Sequence, residues 1–229
     1  MNKLKSYAAS KRGRDTLLCF GIVIIAYIIV QAAIAGGGIS SQIKGLLVPI
    51  CAYVVMAISL NLTVGILGEL SLGHAGFMSV GAFAGIVTTT CLADAIPLAP
   101  LRLAVAMVVA GLFAAIAGVI VGVPVLRLKG DYLAIITLGF GEIIRVLITN
   151  VDFTGGAKGL RGIPRITNFA YVYVVAVITL IVLYTLLRSR QGRAIISIRE
   201  DEVAAEASGI NTTYYKLLAF TISAFFAGV

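Results

Sequence analysis

Few side chains in this sequence could do chemistry, because 60% of the 229 residues are hydrophobic and only 12% are charged. His74 is the only histidine, and the three cysteines lie inside apolar runs. This set is too small for a zinc site or histidine-based catalysis, and an odd number of cysteines gives no disulfide framework. We therefore expect no catalytic residue and no metal ligand. The remaining polar groups could guide a solute or fix helix packing.

A Gly-dense stretch over residues 61–77 interrupts an apolar run and carries polar side chains. Glycine lets the backbone leave a helix without a Cβ clash, and in transporters such breaks expose helix ends to a substrate cavity. The stretch is either a gate, with Asn61, Ser71, Gly73 and His74 along a pathway, or a tight turn whose small residues allow close packing. A lone histidine near a span end is more often a hydrogen-bonded packing residue than a proton relay.

A second such stretch, over residues 137–142, lies in the middle of a later apolar run. It contains Thr137, Gly139 and Glu142, and Arg145 follows on the same helix face as Glu142. An ionised group at the centre of a membrane helix costs about 2.5–3.5 kcal/mol, so both charges should face protein or water and pair with each other. The pair either fixes packing or belongs to a pathway, and the glycines make this a second candidate helix break.

The longest polar segment covers residues 188–216. Apolar residues at helical spacing predict one short amphipathic helix with a stripe of Ile196, Val203, Ala207 and Ile210. The acidic run 200–202 suits a helix N-terminus, Gly209 can end the helix, and Asn211 or Thr212 can cap the next one. An acidic centre and a small flank suit a groove on a protein better than an anionic membrane surface.

Seven apolar runs must position these groups. A helix needs about 20 apolar residues to cross a bilayer, and a backbone in lipid must bond to itself. We therefore predict an all-α polytopic transmembrane bundle, with runs at 16–35, 46–67, 73–93, 101–126, 132–150, 169–187 and 217–229. The last run is too short to cross, so we expect the chain to be C-terminally incomplete.

Basic residues predict the orientation, because they are enriched in cytoplasmic loops. With the N-terminus inside, the inner segments hold twelve lysines and arginines and the outer segments five. This predicts a cytoplasmic basic N-terminus over 1–15 and a transmembrane domain over 16–229 with 188–216 inside. The net charge of +8 then reflects topology and anionic lipid rather than nucleic acid. The first run imitates a cleaved secretory signal, but its length favours a retained anchor.

Three motifs resemble one family. Residues 68–77, Gly-Glu-Leu-Ser-Leu-Gly-His-Ala-Gly-Phe, resemble the signature of branched-chain amino acid ABC importer permeases. Residues 126–145 resemble the M-type subunit of that importer, and the H-type subunit lacks this motif. Residues 192–211 resemble the family's cytoplasmic loop, a variant of the ABC-permease EAA motif in which Val203 stands where glutamate would, with Glu202 one position earlier. The resemblance covers about residues 46–229.

This resemblance implies an ABC-importer permease fold in a bacterial inner (plasma) membrane and import of leucine, isoleucine and valine. It implies a sister H-type permease subunit, two cytoplasmic ATPases and a periplasmic or lipid-anchored substrate-binding protein. ATP and Mg²⁺ would be bound by those ATPases, and this chain would hold no cofactor. The implied ATPase-coupling residues are Arg199, Glu200, Asp201, Glu202, Ala204, Ala205 and Gly209.

Other functions fit parts of the pattern. An ABC permease for urea, amides or other amino acids would carry the same motifs. An ion-coupled carrier or channel would use Glu142 as its titrating group and would transport without ATP. A membrane scaffold that moves nothing would tolerate neutral changes at Ser71, His74 and Glu142.

Overall fold

The structure is a computed structural model that describes residues 11–36, 40–93, 98–128, 130–151, 156 and 167–229, with no side chains described for 11–20, 35 and 41. Most of the predicted basic N-terminus, Lys129 and the greater part of the predicted outer loop 150–168 lie outside the described residues.

Every regular element of the described chain is helical, which confirms the predicted all-α class. The elements are α1 Lys11–Ala35, α2 Ser41–Asn61, a π-helical segment Leu62–Leu67, α3 His74–Cys91, α4 Ala99–Val125, α5 Asp131–Asn150, α6 Phe169–Arg188, α7 Arg190–Glu200, α8 Glu202–Ala207 and α9 Thr212–Gly228.

Four described helical segments are long and apolar enough to cross a bilayer. They are Gln42–Leu67, Ala99–Val125, Asp131–Asn150 and Phe169–Arg188. The other predicted runs are helical too, within α1, α3 and α9. The chain is therefore a multi-pass membrane protein, and the number of seven spans stays a prediction.

The chain divides into two compact units, Met1–Ile50 and Cys51–Val229. The second unit contains the candidate functional residues, and its centre is a close packing of α3, α4 and α9. A Cβ added to Gly81 of α3 would lie 2.2 Å from the carbonyl oxygen of Gly228 in α9, and one added to Gly118 of α4 would lie 2.6 Å from Cβ of Ala224. Small residues let membrane helices approach this closely.

The second predicted helix break is wrong, because α5 runs without interruption through residues 137–142. One of its two glycines, Gly141, instead lies in a close contact between helices. A Cβ added to Gly76 of α3 would lie 3.0 Å from Cα of Gly141, and one added to Gly141 would lie 3.5 Å from Cα of Gly73. Glycine inside a membrane helix keeps its backbone hydrogen bonds, so a Gly-rich pattern alone does not end a helix.

Candidate functional site: the helix break and the coupling segment

The first predicted helix break is confirmed. The helix that begins with α2 changes to π-helical turns at Leu62, and it ends at Gly68, whose φ of 82° lies in the left-handed region that glycine adopts without strain. Residues 69–73 are not helical, and α3 starts at His74. Single π-helical turns inside α-helices are frequent at functional sites. We call residues 62–73 the helix break.

His74 lies at the start of α3 and belongs to a buried chain of hydrogen bonds. Its Nε2 is 2.6 Å from Oγ of Ser223, and Ser223 donates its own hydroxyl proton to the carbonyl oxygen of Ser59. The Ser223 oxygen must therefore accept from Nε2–H. Nδ1 lies 3.4 Å from the Ser71 hydroxyl, the outer limit of a hydrogen bond. The imidazole is thus a hydrogen-bonded interior group.

Two phenylalanines enclose the same imidazole. The rings of Phe77 and Phe220 meet it edge to face, with centroids at 5.8 and 6.3 Å. His74 is only 3% exposed. This surrounding favours the packing interpretation of the histidine, and a gating role for His74 and Ser71 stays a prediction.

Thr137 and Gly73 lie together where α5 crosses the helix break. The hydroxyl of Thr137 accepts from the backbone N–H of Leu72 at 3.0 Å and donates to the carbonyl of Ala134 at 2.9 Å. A Cβ added to Gly73 would lie 2.4 Å from the carbonyl oxygen of Thr137, so only glycine fits there. The two stretches that sequence reasoning singled out are therefore in direct contact.

Three of the candidate pathway residues do not join this buried group. Gly139 and Glu142 lie on an exposed part of α5, and Asn61 is exposed at the end of α2. The predicted pair of Glu142 and Arg145 is confirmed, with two bonds from Arg145 Nε at 2.9 and 3.0 Å. Their side chains are 57% and 69% exposed, so within this chain the pair does not fix packing.

The polar segment 188–216 differs from the predicted single helix, because the backbone turns at Asp201. This residue has extended geometry (φ −157°, ψ 110°), ends α7 and caps α8, where its carboxylate accepts from the N–H groups of Val203 and Ala204 at 2.9 and 3.1 Å. The acidic N-terminus is confirmed for Asp201 and Glu202, whereas Glu200 lies at the C-terminal end of α7. An aspartate side chain that bonds nearby backbone N–H groups competes with continuation of the helix, and at Asp201 the helix is interrupted.

Of the predicted apolar stripe, only Ile210 packs against a buried cluster, and the stripe is wrong for Ile196, Val203 and Ala207. Val203 is 74% exposed and Ile196 is 40% exposed. The buried apolar side chains of the segment are instead those of Ile195, Ile198 and Ala205, and they pack in one cluster with Leu62 and Leu67 of the helix break. The turn at Asp201 rotates α8 relative to α7, so a stripe counted along one helix does not hold. Gly209 (φ 82°) ends α8, and Asn211 caps α9, as predicted.

Lys216 connects the segment 188–216 to the helix break. Its ammonium donates to Glu69 in the break at 2.7 Å and lies 2.9 Å from Oε1 of Glu202 in α8. Lys216 is only 4% exposed. Arg199 in α7 makes a second connection, from its Nη1 to the carbonyl oxygen of Gly65 at 2.6 Å.

The charge of Lys216 is held in place by its two partners. Burial lowers the pKa of this ammonium, but the hydrogen bonds to Glu69 and Glu202 outweigh burial, and the net direction is upward. A raised lysine pKa contributes stability that is fully present below the ordinary lysine range and is lost only as pH rises through the raised value. The ammonium of Lys216 therefore stays charged at neutral pH.

A cavity of about 430 Å³ opens beside these connections and is lined by charged and apolar residues. Its lining includes Leu67, Gly68, Glu69, Ile198, Arg199, Glu202 and Lys216. Among the charged lining groups, Lys216 binds Glu69 and Glu202, and Arg199 binds the carbonyl oxygen of Gly65. Among the described residues, no group of three His, Cys, Asp or Glu side chains could hold a metal ion.

Comparison with known proteins agrees with this arrangement. The family described as branched-chain amino acid transport system / permease component matches residues 42–229. The chain belongs to this permease family. The family is a transport component and not a family of enzymes.

Two relatives of this permease carry the same name. The high-affinity branched-chain amino acid transport system permease protein LivM of Salmonella typhimurium is 39% identical over 219 residues, and that of Escherichia coli is 38% identical over 219 residues. Each comparison covers 77% of this chain and 48% of the relative. The permease chain thus spans about half the length of the curated relatives it matches. No solved structure gives a significant match.

Sequence reasoning missed four residues of this permease that the structure brings together. Glu69 and Lys216 are 147 positions apart, and Ser59 and Ser223 are 164 apart. A lone charge or serine at the end of an apolar run has many possible partners. The only signal in the sequence was that polar groups in membrane helices need hydrogen-bonding or ionic partners.

Proposed function

We propose that this chain is a permease subunit of an ATP-binding-cassette importer that moves branched-chain amino acids across a bacterial inner membrane. Membership of the permease family and the relatives named LivM support the substrate class. ATP hydrolysis belongs to separate ATPase subunits, which would bind ATP and Mg²⁺. The chain itself supplies part of the pathway and the surface on which an ATPase acts.

The observation that carries this proposal is the form of the segment 188–216, which we call the coupling segment. Two short helices, α7 and α8, meet at Asp201, and the outward side of α8 presents exposed small residues such as Ala204 and Ala207. The inward side, with Ala205, is buried against the helix break. A helix with one face buried in its own fold and an exposed face of small side chains suits docking in a groove of a partner protein.

The proposed orientation has the N-terminus and the coupling segment in the cytoplasm. Support comes from the distribution of lysine and arginine, with twelve on the predicted inner side against five on the outer side. The coupling segment alone contributes Arg188, Arg190, Arg193, Arg199 and Lys216 to the inner side. An ATPase in the cytoplasm could then reach it.

The proposed assembly contains this chain, a sister H-type permease subunit, two ATPases and an extracytoplasmic binding protein that delivers the amino acid. The ATPase contact consists of Arg199, Glu200, Asp201, Glu202, Ala204, Ala205 and Gly209, of which Ala205 acts from within the fold. The proposed pathway and gate residues are Asn61, Ser71, Gly73, His74, Thr137, Gly139 and Glu142. The exposed pair of Glu142 and Arg145 supports a watery or protein-covered face of α5, because charges avoid lipid.

A matched pair of variants tests the ATPase contact. Ala204 is exposed in α8, so Ala204→Arg places a long cation on the proposed contact without entering the core. We expect Ala204→Arg to reduce co-purification of the ATPase by at least about tenfold, because bulk and charge block the groove, and Ala204→Ser to leave it unchanged. Full ATPase binding by a folded Ala204→Arg chain would refute the proposed contact.

A further inference from the structure

We infer that Lys216 and Arg199 form a two-point link through which the coupling segment moves the helix break, so that displacement of α7 and α8 reaches the buried group around His74. This inference rests on the proposed function, because it needs an ATPase that displaces the coupling segment. Lys216 and Arg199 are positioning residues in this account.

The first point of the link is the ion cluster around Lys216. Its ammonium binds Glu69 at 2.7 Å and Glu202 at 2.9 Å, so one side chain of α9 holds the break and α8 together. The side chain of Lys216 is almost fully buried, and those of Glu69 and Glu202 are 14% and 27% exposed. Removing the cation would leave two carboxylates close together in a partly buried place, which favours their separation.

The second point is the guanidinium of Arg199 on the carbonyl of Gly65. The last carbonyls of a helix have no partner within it, and a cation near a helix C-terminus is favourable. Arg199 thus completes the π-helical segment from outside. Its aliphatic part also lies against the turn, because a Cβ added to Gly68 would lie 3.1 Å from Cγ of Arg199.

The space between the two points is filled with packed side chains. Ile195 and Ile198 of α7 and Ala205 of α8 belong to one buried cluster with Leu62 and Leu67. Packed interfaces tend to change between discrete arrangements instead of deforming continuously. A displacement of the coupling segment therefore carries the helix break along or breaks the link.

The helix break continues directly into the buried polar group. Glu69 is followed within five residues by Ser71 and His74, which contact each other. Leu72, between them, donates its backbone N–H to Thr137. His74 in turn bonds Ser223 of α9, the helix that also contains Lys216. The link thus joins the cytoplasmic segment to the centre of the helix packing along two routes, through the break and through α9.

A labelling experiment on the full complex reads this transmission without measuring transport. Leu70 lies in the break and is 45% exposed, so Leu70→Cys reports on the break in a background without Cys19, Cys51 and Cys91. We expect its labelling rate by a water-soluble maleimide to differ at least threefold between nucleotide-free and ATP–vanadate-trapped complexes. Lys216→Met should abolish that difference while the ATPase stays bound. Lys44→Met, the same change at an exposed lysine, should retain it.

The full charge exchange, Lys216→Glu with Glu69→Lys and Glu202→Lys, keeps opposite charges at both contacts and should restore the difference. This variant also decides the question if Lys216→Met fails to assemble. An assembled Lys216→Met complex that keeps the full difference, or an assembled exchange variant that lacks it, would overturn the inference. A break that shows no nucleotide-dependent difference in the unmodified complex would also overturn the inference, whereas a chain that binds no ATPase would contradict the proposed function.

Discussion

At the scale of single residues, two groups of buried polar side chains form closed sets. His74 bonds Ser71 and Ser223, and Lys216 bonds Glu69 and Glu202. Such closure is expected, because a buried polar group without a partner costs more than a hydrogen bond contributes. It also means that each set fails as a unit when one member is removed.

Ser223→Ala tests the histidine set. The change leaves the Nε2–H of His74 and the carbonyl of Ser59 without their partner, so we expect a loss of about 1–3 kcal/mol in the free energy of unfolding. Ser79 is the matched control, because its hydroxyl bonds only the Gly76 carbonyl of its own helix, and Ser79→Ala should change little. The measurement is denaturant unfolding in detergent. Equal losses of stability in both variants would contradict a contribution of the histidine set to the free energy of unfolding.

At the scale of elements, some features follow from the sequence and others do not. The helix break is predictable from the stretch 61–77, because glycines coincide there with the end of a full-length span. The glycines at 139 and 141 give a similar pattern, yet α5 continues. What decides between the two is the partner helix: Gly141 faces Gly73 in a close crossing, and a single sequence does not contain that contact.

The coupling segment shows the same limit. Its helix end at Gly209, its cap at Asn211 and the acidic residues at the start of α8 are local features, and sequence reasoning finds them. Its buried face is not local. One residue of extended backbone at Asp201 changes the direction of the helix, and the predicted stripe with Val203 then points outward. The pairing of Glu69 with Lys216 depends on the tertiary fold and was out of reach.

Asp201 tests the division of the coupling segment into two helices. Asp201→Ala removes the acceptor for the first N–H groups of α8, and we expect a loss of about 1 kcal/mol in stability, together with weaker ATPase binding. Asp201→Asn keeps the capping acceptor and should retain both properties, because asparagine caps as well as aspartate. Thermal unfolding and co-purification measure the two effects. A loss in Asp201→Asn as large as in Asp201→Ala would assign the effect to charge and contradict the capping role.

Gly81 tests the packing of α3 on α9. Because an added methyl would lie 2.2 Å from the Gly228 carbonyl oxygen, we expect Gly81→Ala to cost about 1–3 kcal/mol of stability through overpacking. Gly45 in α2 is the control, since a Cβ there has nothing within 4 Å, and Gly45→Ala should be tolerated. A melting temperature that is the same for both variants in detergent would contradict the close crossing.

At the scale of the whole molecule, contacts among the described residues run from the coupling segment to the centre of the helix packing. The coupling segment is bound to the helix break, and the break contacts α5 at Gly73 and Thr137. His74, directly after the break, bonds Ser223 of α9. A protein whose only task is to sit in the membrane has no need of this continuity. A permease driven by an external ATPase does.

The most direct test of the central claim is uptake of radiolabelled leucine into vesicles that contain this permease with its ATPase, sister permease and binding-protein partners. The account predicts uptake that requires ATP, persists when ion gradients are collapsed, and is lost with Ala204→Arg but not with Ala204→Ser. Uptake without ATP that disappears with the ion gradient and with Glu142→Gln would contradict it and assign the chain to the ion-coupled carriers.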